Sequence, residues 1–171
     1  MDTEIIYYES PVGLLQVKGN DQHLQALYFC ETERHSSLIP VEQDKSARPV
    51  SPVLQHTIEQ LDAYFAGTLQ RFDLPLQQEG TEFRQSVWNE LCNIPYGRTI
   101  SYLELSKRLG NTKAIRAVGT ANGSNNISII VPCHRVIGSS GELVGYGGDL
   151  WRKRWLLAHE DKYANGVQTL F

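Results

Sequence analysis

Short apolar runs separated by turn residues fill the first thirty positions, and helical spacing takes over after residue 50. Residues 5–8 (Ile-Ile-Tyr-Tyr), 14–17 (Leu-Leu-Gln-Val) and 24–29 each read as a strand, and Ser10-Pro11-Val12-Gly13 reads as the turn between the first two. Connections this short predict an antiparallel meander. Residues 31–50 are polar, with Ser, Pro and charges, and predict a loop. Ser51-Pro52 then opens a helix, serine as cap and proline at the first helical position. Its expected apolar face is Leu54, Ile58, Leu61 and Phe65, and Gly67 is its expected stop. Residues 71–76 suggest one further strand, and 77–80 a linker.

Beyond Gly80 the pattern becomes mostly helical. Thr81 is placed to cap a helix with inner face Phe83, Val87 and Leu91, stopped by Ile94-Pro95-Tyr96-Gly97. Ser101 and Glu104 form a capping box for a helix that ends at Leu109-Gly110. Thr112 is the expected cap of the next helix, from Lys113 to about Asn122, ended by Gly123. Two short helices joined by Gly110-Asn111-Thr112 have the outline of a helix-turn-helix. That outline is common, and its basic residues Lys107, Arg108, Lys113 and Arg116 strengthen it. Residues 128–131 form a buried extended run into Pro132-Cys133. A glycine-rich loop over 138–148 follows, then a last helix over 150–160.

Composition changes this picture in two ways. The 171 residues are 41% hydrophobic and 20% charged, which excludes a disordered chain. The overall net charge of -3 conceals an asymmetry: residues 1–80 hold 5 Lys+Arg against 12 Asp+Glu, whereas 81–171 hold 11 against 7. That predicts two domains, 1–80 and 81–171, with any polyanion bound by the second. The N-terminus lacks the basic start and apolar block of a signal peptide, and no apolar run approaches a membrane span, so a cytoplasmic protein is expected. Cys30, Cys92 and Cys133 are too scattered for a disulfide framework or a zinc site. The first two read as small buried hydrophobes.

Cys133 is different because His134 and Arg135 follow it directly. Sulfur attacks as thiolate, and a nearby base or cation makes the thiolate accessible. On residue type alone an inert core thiol is favoured; the apolar run, Pro132 and the glycine-rich loop bring the nucleophile level with it. Neighbouring side chains point apart in extended chain, so His134 would need a water or an unusual backbone to reach the thiol. Glu160, read as the end of the last helix, is disfavoured there by the dipole and becomes a candidate partner of His134 or Arg135. Asn125 is either a plain turn residue or a clamp on the segment before Cys133. Tyr102 and Arg116 are each open to a nucleic-acid role or a bland one.

Taken together the second half resembles the O6-alkylguanine-DNA alkyltransferases, or methylated-DNA–protein-cysteine methyltransferases. The resemblance rests on Pro132-Cys133-His134-Arg135-Val136-Ile137-Gly138 and on ordered companion segments. These are Phe83-Arg84-Gln85-x-Val87-Trp88, Ile94-Pro95-Tyr96-Gly97 with Ser101-Tyr102, Arg116-Ala117-Val118-Gly119-x-Ala121-Asn122, Gly145-Tyr146-x-Gly148, and Lys153-x-x-Trp155-Leu156-Leu157-x-x-Glu160. It covers nearly all of 81–171; residues 1–80 agree only in general layout. It implies an α+β protein. An N-terminal ribonuclease-H-like domain with an antiparallel sheet would precede a mostly helical, winged helix-turn-helix-like domain.

The same resemblance implies repair by stoichiometric, single-turnover transfer of an alkyl group from O6-alkylguanine, and from O4-alkylthymine, to Cys133. Glu160 would orient His134, which would deprotonate Cys133 through water. Tyr102 would turn the 3′ phosphate and protonate the departing base. Arg116 would fill the gap left by the flipped base. Asn125 would be the hinge between recognition helix and active-site segment. Thr112, Lys113, Ala117, Asn122 and Gly123 would complete a surface for double-stranded DNA, met through the minor groove. Val136, Tyr146, Gly147, Gly148 and Ser128 would shape the base and alkyl pocket. No cofactor, metal or membrane is implied. A monomer is expected, with cooperative binding on DNA left open. Ser128 and Gly147 stand where some relatives carry proline and serine, which suggests a roomier pocket. Asp149 stands where glycine is usual. The competing reading is a lesion-recognition protein that binds without transfer; such relatives carry another residue at the nucleophile position.

Overall fold

The computed structural model describes residues 2–32, 51–144 and 146–166. Most of the loop expected over 31–50 and Gly145 of the glycine-rich motif lie outside the described residues. The chain divides into two compact units, Met1–Gln78 and Glu79–Phe171.

In the first unit, β1 (Glu4–Ser10), β2 (Gly13–Gly19) and β3 (Leu24–Phe29) form an antiparallel sheet in chain order. Ser10 pairs with Gly13 across the expected turn, and a bulge interrupts the β2–β3 register at Lys18/Gly19. The helix α1 (Pro52–Phe65) covers the sheet, its first turn capped by the Ser51 side chain accepting from the Leu54 amide. Gly19 marks the approach of helix to sheet: a Cβ there would stand 2.6 Å from the His23 carbonyl and 3.0 Å from Leu54 Cδ2. The buried face of α1 is Val53, Leu54, Thr57, Leu61 and Tyr64, so it is rotated from the expected one. Thr57 can go inside because its hydroxyl donates to the Val53 carbonyl at 2.8 Å. The strand expected at 71–76 reduces to a single bridge between Leu24 and Leu76. Pro75 accepts from Leu24 but has no N–H to return, so a ladder cannot continue.

The second unit holds α2 (Glu82–Leu91), β4 (Ile100–Ser101), α3 (Tyr102–Arg108), α4 (Ile115–Gly123), β5 (Val136–Ile137) and α5 (Leu150–Asn165). Caps at Thr81 and Ser101 stand as expected. On α2, Phe83 is 38% exposed and Trp88 takes the inner place. The Trp88 indole N–H donates to the Ala121 carbonyl at 2.9 Å, tying α2 to α4. Between α3 and α4 runs a 3-10 turn, Thr112–Ala114, capped by Asn111 and not by Thr112. Asn111 wins because its side-chain Oδ1 accepts from the Lys113 amide at 3.2 Å. The parallel pair β4–β5 brings the segment after Cys133 beside the start of α3.

Two further expectations fail in an instructive way. Residues 128–131 are buried or half-buried but turn instead of running extended. Ile129 has φ 71, rare for a β-branched residue, and the Ile130 amide donates to the Ser128 carbonyl. Pro132, at φ -83 and ψ 64, makes a second three-residue turn, with Cys133 donating to Val131. Next, α5 continues to Asn165, so Glu160 is an interior helix residue and the dipole argument against it lapses. Asp149, at φ 70, occupies the N-cap of α5 and pairs with Arg152 at 3.2 Å. Its charge suits a helix N-terminus, and its backbone suits the glycine usual there.

Candidate active site

Cys133, His134 and Arg135 make one 3-10 turn, all three buried. Three residues per turn splay successive side chains by about 120°. His134 therefore faces α5, away from the sulfur. Its Nε2 lies 2.7 Å from Oε2 of Glu160. Arg135 meets the same carboxylate, donating from Nε to Oε1 at 2.7 Å and from Nη2 to Oε2 at 3.2 Å. Its Nη1 donates to the Ile94 carbonyl at 2.7 Å, so the Ile-Pro-Tyr-Gly turn anchors the guanidinium. Nδ1 of His134 is buried with no protein hydrogen-bond partner.

Asn125 secures the other side. Its amide nitrogen donates to the carbonyls of Val131 at 2.9 Å and Ile127 at 3.2 Å, and to Sγ of Cys133 at 3.3 Å. Its side-chain oxygen accepts from the Ile127 amide at 3.1 Å. Asn125 thus clamps a strained turn to the sulfur.

Burial sets the resting protonation states. It pushes the Cys133 thiol above its ordinary 9.0, although Asn125 and Lys153 pull the other way. Burial also holds His134 below 6.5 against the attraction of Glu160. For Glu160, burial disfavours the charge, but His134 and Arg135 outweigh it and keep the carboxyl well below the usual range. At neutral pH the site holds a neutral thiol, a neutral imidazole and a carboxylate. With Glu160 ionised, Nε2 carries the imidazole proton and Nδ1 is left as the basic nitrogen. The thiolate must therefore form during reaction.

Around this core, Tyr146 stands in electrostatic range of Cys133 and Glu160 and interacts with the Ser128 side chain, burial pushing its phenol well up. Val136 and Gly148 are buried, whereas Gly147 is exposed and a Cβ there would meet nothing. The roomier-pocket argument therefore rests on Ser128 alone. Burial likewise raises Tyr102, whose hydroxyl donates to the Val144 carbonyl at 3.2 Å. Tyr102 and Val144 line a cleft of about 660 Å³ with Arg116, Thr120 and Gly138. Arg116, Thr112, Lys113, Ala117 and Gly123 are exposed on the α3–α4 surface. Asn122 is not: it is 2% exposed, and its amide donates to the Cys133 carbonyl at 3.4 Å. It braces the nucleophile's backbone and has no surface to offer DNA. Cys92, expected in the core, is exposed, and Cys30 is buried. Among the described residues no group of His, Cys, Asp and Glu could hold a metal ion.

Arg135, read in the sequence as an alternative partner of Glu160, binds it twice alongside His134. One residue of the site, Lys153, carried no assigned role in the sequence. Lys153 is fully buried, which composition and periodicity do not reveal.

Known proteins carry the same two domains in the same order along the chain. The family model described as the DNA-binding domain of 6-O-methylguanine DNA methyltransferase matches residues 82–162, and that for its ribonuclease-like domain matches 5–78. The chain belongs to the 6-O-methylguanine DNA methyltransferase family. A methylated-DNA–protein-cysteine methyltransferase of Mycolicibacterium paratuberculosis is 45% identical over 163 residues, 95% of each chain. One from Methanosarcina acetivorans is 46% identical over 155 residues, 90% of this chain and 95% of that one. The crystal structure of Mycobacterium tuberculosis OGT in complex with DNA superposes with a TM-score of 0.80 at 44% identity, covering 94% of both chains. Membership in this family accounts for the α+β architecture and the helical DNA-binding half.

Proposed function

We propose that this chain repairs alkylated DNA by moving the alkyl group from O6 of guanine, and from O4 of thymine, to Sγ of Cys133. The observation that carries this reading is the buried His134–Glu160 contact of 2.7 Å, with Asn125 holding the adjacent sulfur. His134 Nδ1 takes the thiol proton through a bridging water, and Glu160 with Arg135 steadies the resulting imidazolium. The new S–C bond forms as the C–O6 bond breaks. The electron pair leaves on the base, which Tyr102, kept protonated by burial, supplies with a proton. Nothing in the site hydrolyses a thioether, so each molecule reacts once.

The DNA surface is α3 with α4, met through the minor groove, with Arg116 entering the stack where the base has left. Thr112, Lys113, Ala117 and Gly123 flank it. A monomer acting in the cytoplasm suits this role, and no helix among the described residues is long and apolar enough to cross a membrane. Incubation with a duplex carrying O6-methylguanine, followed by intact-mass measurement, tests the proposal. A stable gain of one methyl, absent in Cys133→Ala, is expected. Binding without a mass change would instead make this a lesion-recognition protein.

A further inference from the structure

We infer that Lys153 is a positioning residue for alkyl transfer, a buried ammonium that ties the two backbone edges of the pocket together and brings a positive charge to the forming Cys133 thiolate. The inference rests on the proposed role of Cys133 as alkyl acceptor.

Lys153 projects from the first turn of α5 and is 0% exposed. Its Nζ donates to the Val136 carbonyl at 2.6 Å and to the Val144 carbonyl at 2.9 Å. Val136 follows directly on the 3-10 turn of Cys133 and returns a hydrogen bond to the Cys133 carbonyl. Val144 sits in the loop after β5, and the same carbonyl accepts from Tyr102. One ammonium thus joins the nucleophile's turn, the pocket loop and, through Val144, the residue assigned to protonate the base. Two neutral carbonyls stabilise a buried cation but do not neutralise it. A lysine placed only to brace a loop could be replaced by an uncharged donor at lower desolvation cost.

The groups facing Lys153 explain why a charge is kept. On the turn they are Cys133 and His134, both of which feel its field. On its own helix Arg152 pairs with Asp149, while Arg154 and Asp161 line a separate cleft with Glu160. No carboxylate contacts Nζ among the described residues, so the thiolate is the anion available to it. Burial brings Lys153 down to about 8, with Cys133 the one group raising it, so it is still mainly charged at neutral pH. When the thiol ionises, the ammonium gains a partner. After transfer the sulfur is a neutral thioether and the partner is gone.

Two variants separate charge from tie. Lys153→Gln keeps a donor for the carbonyls and removes the charge; Lys153→Met removes both. Peptide-resolved labelling of Cys133 by iodoacetamide across pH reads the thiol without DNA. Both variants are expected to shift its midpoint upward by about one unit and, at saturating O6-methylguanine duplex, to slow transfer roughly tenfold. Duplex Kd should stay within about twofold. An unchanged Cys133 midpoint in Lys153→Gln overturns the inference, whatever the melting temperature does. Should either variant fail to fold, the coupling can be read in reverse. Lys153, followed by carbon NMR at Cε, is expected to titrate lower in Cys133→Ser than in the parent chain, and equal midpoints overturn the inference. A parent protein that labels normally yet transfers nothing would defeat the alkyl-acceptor role and leave the lysine–thiol coupling standing.

Discussion

Glu160 receives three hydrogen bonds from two residues, and neither residue has another carboxylate within reach among the described side chains. Replacing it by glutamine keeps the shape and removes the charge. The imidazolium formed during transfer then loses its counter-ion, and the amide can also favour the wrong tautomer of His134. Transfer by Glu160→Gln is expected to slow by roughly 10²-fold or more in a single-turnover assay. Duplex affinity should change little, because Glu160 is buried away from the α3–α4 surface. The same substitution strands the Arg135 guanidinium, and removing one partner of a buried pair costs about 3–5 kcal/mol. Rates should therefore be measured where the variant is fully folded. An unaltered transfer rate would refute the relay. This residue also marks how far sequence alone reaches. Cys133 and His134 were legible because they are adjacent, whereas Glu160 was named through the family resemblance and a helix-end argument that the longer α5 removes. Asn122 was misplaced, since one position in a helix decides between surface and core and nothing in the pattern reports that rotation.

Elements were legible where a local rule fixes them. The caps at Ser51, Thr81 and Ser101 and the meander turn depend on nearest neighbours, and the structure has them. The segment before Cys133 was read as extended because it is apolar, yet tertiary constraints fold it into two tight turns under the Asn125 clamp. The face of α2 was misjudged by one position for a similar reason, the Trp88 N–H finding its acceptor on a distant helix. Gly110, which ends α3, gives a direct test of such local rules. It has φ 76, and a Cβ built there meets nothing within 4 Å. Any cost of Gly110→Ala is therefore conformational, about 1–2 kcal/mol for an L-residue in the left-handed region. Gly110→Asn should cost less. Chemical denaturation of the two variants checks this order, and equal stability of the glycine and alanine forms would contradict it.

For the whole molecule, protonation and charge make separate predictions. His134 is held below 6.5 and Glu160 below 4.5 in the fold, so below each value the unfolded chain takes up a proton that the folded chain refuses. Stability then rises with pH through both windows. Melting temperature should fall as pH drops below 6.5 and further below 4.5, and Glu160→Gln should lack the second step. Salt reads the other face. Of the basic residues on α3, α4 and the 3-10 turn between them, Arg108 pairs with Glu104 and stands 4.0 Å from Glu90, leaving Lys107, Lys113 and Arg116 for DNA. With Arg116 in the stack, phosphate contacts from Lys107 and Lys113 would give a slope of log affinity against log salt of about -2, and each one lost should reduce it by roughly 0.9. Lys113→Ala should show that reduction with little effect on transfer at saturating duplex. Arg116 lines the cleft beside Tyr102, and its proposed place is the vacated stack. Arg116→Ala should weaken binding with the slope nearly unchanged and slow transfer even at saturation, because base extrusion is then uncompensated. A slope that falls in Arg116→Ala while saturated transfer holds would make Arg116 a phosphate contact and leave base extrusion to other residues.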